Sequence, residues 1–217
     1  MPTIDFTQGS KTLSRYDVVG ERAEGRGHFV IHVGLLNVDS RSVEAGDEVN
    51  AAHMAPPLKQ GGTIKTHVAG YVPLTEDEIK KIETWIKKTA GEYQEYDVST
   101  KVQYVIDPPW KDEHDPNTGV RRYRRYSCVG FVLDAHHQVD IELLKIDKDA
   151  LPDVFPQIIN SAYPDVERHA RLRSYWGLEG NGPWKVVLGG YVLHALNRPT
   201  DQIRREPYQA KEGDEQF

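Results

Sequence analysis

The residue best suited to covalent chemistry is Cys128, the only cysteine among 217 residues. It stands in Tyr126-Ser127-Cys128-Val129-Gly130-Phe131-Val132, where Ser127 or a neighbour can cap a helix running to about His137. A cysteine in the first turn of a helix faces unpaired amides and the positive dipole end, which favour thiolate over thiol. Gly130 leaves room for another backbone or a substrate, while Phe131 and Val132 anchor the helix in a core. A thiolate is half a catalyst. It needs an imidazole to take and return a proton, and a third polar group to orient that imidazole. The competing reading is that a lone cysteine on an apolar helix is an inert core residue.

Imidazoles are plentiful, with nine histidines in the chain. His28 and His32 share one apolar run, His53 ends another, and His67 lies in a third. On an extended strand His28 and His32 would share a face some 13 Å apart, and His28 is read as structural. His136 and His137 are adjacent and point apart, so a regular helix cannot use both as ligands. His114 sits in Asp112-Glu113-His114-Asp115, an acidic run of the kind that solvent usually covers. His169 and His194 have no partner at ligand spacing. No metal and no cofactor are predicted.

Those groups need elements to position them. The run His28-Phe29-Val30-Ile31-His32-Val33-Gly34-Leu35-Leu36 is apolar and β-branched, which predicts a buried strand. Val49 to Met54 predicts a second strand, halted by Pro56-Pro57, and Thr63 to Val72 a third. Thr75 followed by Glu78 is a capping box. It opens a helix whose Ile79, Ile82, Trp85 and Ile86 share one face, with Lys87 and Lys88 late in the helix and Gly91 as the stop. Asp107-Pro108-Pro109 and Asp115 to Gly119 mark an irregular, exposed insertion. The basic stretch Arg121, Arg122, Arg124 and Arg125, interleaved with Tyr123 and Tyr126, reads as a solvated strand or loop edge.

Val139 to Ile146 suits a strand or half-buried link. Short helices are expected around Val154–Ala162 and Val166–Leu172, the latter closed near Gly177. Trp184 to Leu196 could be strand or helix, and the tail after Pro199 should fray. Residues 1–24 read as a loosely packed arm.

Composition bounds the function. The hydrophobic fraction is 38% and the charged fraction 28%, as in a globular protein. A net charge of -6 argues against nucleic acid as the main partner. No apolar run approaches the roughly 20 residues that span a membrane, and Met1 to Ser10 lacks the regions of a signal peptide. A single cysteine allows no internal disulfide. A cytoplasmic location is the expectation.

The cysteine motif, with Phe131-Val132 after it, and the strand His32-Val33-Gly34-Leu35 together resemble the NlpC-like papain-fold superfamily. The histidine strand precedes the cysteine helix here, an order similar to the circularly permuted branch of YiiX-type proteins and lecithin–retinol acyltransferase relatives. Val49-Asn50-Ala51-Ala52-His53-Met54-Ala55-Pro56 resembles that branch's second strand. The capped helix with Tyr93 to Asp97 resembles the segment leading to its cysteine helix. The resemblance covers about residues 25 to 140. It implies an α+β fold: a permuted papain-like core (25–150) of a small antiparallel sheet packed on helices, with a C-terminal extension (151–217). It implies Cys128 as nucleophile with its own amide as an oxyanion donor, His32 as general base and then acid, and His53 orienting His32, with His67 as the runner-up for that third role. The activity implied is a thiol hydrolase (amidase, peptidase or esterase) or an acyltransferase, working through a cysteine acyl-enzyme on a small-molecule, peptide or lipid-acyl substrate. The alternative is a non-catalytic binding or assembly protein keeping the fold, with Tyr175, Trp176, Trp184 and Tyr191 as an interaction surface.

Overall fold

The β-branched runs pair as antiparallel strands because each can bury one face and bond along both edges. In a computed structural model, which describes residues 3–5, 11–23, 25, 28–163, 166 and 170–217, they build a mixed α+β protein. Strands β1 (Thr3–Asp5), β3 (Val18–Arg22), β4 (Val30–Leu36), β6 (Glu48–Met54), β7 (Leu58–Lys65) and β8 (Val68–Gly70) form one antiparallel sheet in the order β1-β8-β3-β4-β6-β7. Strands β2 (Lys11–Leu13) and β5 (Arg41–Val43) make a small second sheet, and β9 (Trp110–His114) pairs with β10 (Arg121–Tyr126) in a third.

Around β3, β4 and β6 the large sheet is buried on both faces, while half of β7 is exposed. On one face Val18, Val33, Leu35 and Ala52 join the main core with the helices. On the other, Val19, Leu36, Ala51, Ile64 and Ala69 pack with Leu13 and Val43 from the small sheet. Alternation along β3 and β4 therefore sends neighbouring residues into different cores.

Helix α1 (Glu76–Glu95) starts at the expected capping box: the Glu78 amide donates to the Thr75 hydroxyl, and the Thr75 amide to the Glu78 carboxylate. Ile82, Ile86 and Tyr93 are its buried stripe. Gly91 does not stop it. The helix runs on to Glu95 with Tyr96 as its C-cap, Asp97 after it takes φ 46°, and its last turn holds no basic residue. Helix α2 (Cys128–His137) has Ser127 as its cap, accepting from the Gly130 amide at 2.8 Å. Helices α3 (Pro156–Ala162), α4 (Ala170–Tyr175), α5 (Gly189–Leu196) and α6 (Thr200–Arg205) follow.

Four further expectations are corrected. Residues 11–22 are no loose arm: β3 is a central strand, with Val18 and Val19 fully buried. Its apolar run was too short to show a period. The single strand expected over Thr63–Val72 is split into β7 and β8 by Thr66-His67. The insertion near residues 107–122 carries the β9–β10 ribbon, three of whose arginines meet carboxylates: Asp112 bridges Arg121 and Arg124, Glu92 holds Arg121, and Glu113 meets Arg125, while Arg122 stacks on Tyr96. The tail is tied down, because Phe217 donates its amide to the His28 carbonyl and Arg22 donates to the Phe217 carbonyl. The segment 184–196 resolves as extended chain followed by α5, whose Leu193 and Leu196 pack over Gly20 and Gly70. His169 and residues 6–10 of the expected arm lie outside the described residues.

Candidate functional site

Three polar groupings could carry function, and they occupy different places. The first is the thiol. Cys128 starts α2, with its sulfur against the sheet in the main core and a side chain 1% exposed. Gly130 serves the close approach expected of it: a Cβ there would collide with the Pro109 carbonyl oxygen, to which the Ser127 amide also donates at 2.9 Å. The sulfur is surrounded by hydrogen-bond donors: the Val33 and Val129 amides and the Tyr104 and Tyr163 hydroxyls. Those two hydroxyls also meet each other at 3.2 Å. Burial nevertheless dominates and pushes the Cys128 thiol above its ordinary pKa, so the helix terminus does not yield a thiolate.

The second grouping is the histidine pair. His32 Nε2 and His53 Nδ1 are 2.7 Å apart, so one ring donates to the other. His53 lies over Gly62, where any Cβ would collide with its ring, and its buried Nε2 has no hydrogen-bond partner among the described residues. Burial pulls both imidazoles down to about 4, against a weak upward pull of Glu21 on His32. The expected His32–His53 contact is therefore present. His67 is elsewhere: its Nδ1 accepts from the Arg22 amide at 3.2 Å.

The two groupings do not meet. Val33 pairs with Gly20 and faces α2, whereas His32 pairs with Glu21 on the opposite face of β4, the face of Val19 and Leu36. His53 shares that opposite face, since a Cβ on Gly34 would stand 2.8 Å from the His53 Cβ. The backbone of the sheet thus lies between the Cys128 sulfur and both imidazoles. The cause is the period of the strand: β4 approaches Cys128 through Val33, so the residue before it must point away.

The third grouping was not legible in the sequence. A cleft of about 540 Å³ opens between the start of β9, the end of α4 and the loop before α5. Arg125, Lys111, Lys148 and Lys185 line it together with Tyr175 and Trp184. Of the four aromatics expected at a surface, these two reach the cleft. Tyr191 is buried in the core, and Trp176 packs on Tyr104 at 5.0 Å. The lining residues are spread over about eighty positions, and no local motif joins them.

The acidic run near His114 is consumed structurally. Asp112 and Glu113 pair with arginines, and Asp115 accepts from the Asn117 and Thr118 amides. Among the described residues no group of three His, Cys, Asp or Glu could hold a metal ion, and no helix is long and apolar enough to cross a membrane. Comparisons with protein families, with curated proteins and with solved structures find no match.

Proposed function

We propose that this chain is a non-catalytic binding protein with a permuted papain-like core, in which Cys128 is a structural thiol. The supporting observation is the setting of the sulfur: enclosed by Tyr104, Tyr163 and the Val33 amide, with His32 and His53 across the sheet. A nucleophile needs its base within hydrogen-bond reach, and a buried neutral thiol has neither base nor access. The fold reading rests on order and packing. The His32-Val33-Gly34-Leu35 strand precedes the cysteine helix, and the two pack together through Val33 and Cys128. The partner on this reading is a small molecule or peptide.

The thiol hydrolase or acyltransferase is the second reading, favoured by the 2.7 Å His32–His53 contact and by the capped cysteine turn. It requires β4 to shift by one residue, which would bring His32 round to the thiol. Iodoacetamide decides between them. On the binding reading Cys128 stays unmodified at neutral pH until denaturant unfolds the chain. Fast alkylation of the native protein that slows in His32→Ala would overturn it in favour of the enzyme.

A further inference from the structure

The cleft beside Tyr175 has the makings of a ligand site of its own. Its volume of about 540 Å³ lies within the range of small-molecule sites. Its base is Arg125, 5% exposed, an expensive place for a charge unless every donor is used. The guanidinium spends its terminal nitrogens on the Tyr104 and Tyr175 carbonyls and on Glu113, yet its buried Nε has no partner among the described residues. The Tyr175 ring covers the same guanidinium at 4.3 Å while remaining 38% exposed. That ring has one face on a cation and an open side.

The other cations differ in what they have already. Lys148 pairs with Asp107 at 2.9 Å and Lys185 with Asp153 at 3.0 Å. The Lys111 ammonium has no hydrogen-bond or ion-pair partner among the described residues. Glu179 is a wall carboxylate with no ion pair among the described residues. The walls are held rigidly. Gly177 takes φ 88° so that the Asp107 carbonyl can press against it, and the Ile106 and Asp107 amides both donate to the Trp176 carbonyl.

We propose that this cleft binds a small organic anion, a phosphate or carboxylate attached to a planar ring, with the anionic group at Arg125 and Lys111 and the ring against Tyr175. The exposed Lys111 ammonium suits the anion's oxygens as a donor, the Arg125 guanidinium at the cleft wall adds its charge, and the open ring suits an apolar plane. This deepens the binding reading and rests on it. The two fail separately, because a reactive Cys128 would overturn that reading without touching the cleft.

The test is an amide and indole NMR titration of the full chain at low salt with three probes: phenyl phosphate, benzoate and inorganic phosphate. Phenyl phosphate or benzoate should move the Lys111, Tyr175 and Trp184 signals, and the tighter of the two assigns the anion. Lys111→Ala should weaken binding about 3- to 5-fold, the scale of one exposed charge contact. Tyr175→Ala should remove the preference of phenyl phosphate over inorganic phosphate. Neither residue is needed for the core, so both variants should fold. Absence of shifts at the cleft up to about 10 mM probe, a weakness beyond millimolar affinity, would overturn the proposal. So would shifts that map elsewhere, or affinities unchanged in both variants.

Discussion

The two faces of β4 treat polar groups in opposite ways. Toward α2, the Cys128 sulfur is buried among donors from Val33, Tyr104 and Tyr163. Toward the small sheet, His32 and His53 bond each other, and the His53 Nε2 has no partner among the described residues. The first face satisfies a neutral group that interacts weakly in any setting. The second sets a buried imidazole against a half-buried one, two groups that are charged in acid, with a donor or acceptor unmet. The difference teaches that chemical potential in a side chain is decided by the face it lands on. A helix start supplies a positive end, but a sealed core outweighs it.

The helix face should break first, and hardest, at Gly130. Any side chain there runs into the Pro109 carbonyl, and backbone cannot step aside as a flexible side chain can. Gly130→Val should cost about 3 kcal/mol or more, at the upper end of overpacking, read as a fall in the urea midpoint at unchanged slope. Gly91→Val in α1, where a Cβ meets nothing within 4 Å, should leave the midpoint nearly unchanged. Equal losses at the two sites would deny the close packing of α2 on the 107–109 loop.

The residues that announced themselves in the sequence were those whose cause is local. Thr75 and Glu78 are three apart and cap one helix. Ser127 caps the turn that holds Cys128, and the small Gly130 marked a tight contact before its partner Pro109 was known. The pairing of His32 with His53 was also within reach, through the resemblance that joined their two strands. The side of β4 on which His32 falls was not. That side depends on which residue of the strand meets α2, a tertiary choice, and on the irregularity between Glu21 and Arg22, which leaves Ile31 outside the pairing. The shell of the thiol was equally hidden, since Tyr104 and Tyr163 stand 24 and 35 positions from Cys128 on either side of it. Short segments misled for the same reason. Val18 and Val19 look like part of a polar arm until β4 and β8 are laid beside them.

The histidine face should reveal itself in acid. Both rings are held neutral in the folded protein down to about 4, while in the unfolded chain they take protons near 6.5. Between those values the unfolded state binds more protons, so stability falls as pH drops from about 6.5 to about 4. Buried His136, also depressed and bonded to the Val132 carbonyl, adds to the same slope. Asp17 opposes it, because burial raises its carboxyl to about 7 and the folded state holds that proton. The informative quantity is therefore a difference. The double variant His32→Gln/His53→Gln should show a flatter fall across this window, by about 2 kcal/mol, in urea unfolding at pH 7 and pH 4.5. Glu78 and Asp112, both held near 2 by arginines, titrate lower and leave this window clear. An unchanged pH slope in the double variant would mean that the pair is solvated and that the contrast between the faces is false.

Cys128 itself should matter least, which is the sharpest form of the comparison. Cys128→Ala removes one sulfur from a packed site but strands no charge, and Tyr104 and Tyr163 keep each other as partners at 3.2 Å. The expected loss is about 1 kcal/mol, the scale of a small cavity. Cys128→Ser should be no worse than alanine, because a hydroxyl there meets the donors that now face the sulfur. Neither variant should alter the acid slope assigned to His32 and His53, since sites on opposite sides of a sheet with no shared partner add independently. Thermal unfolding of Cys128→Ala alone and combined with the double histidine variant measures this directly. A coupling well above about 0.5 kcal/mol would put thiol and imidazoles in one network, and it would revive the nucleophile that the sheet now separates from its base.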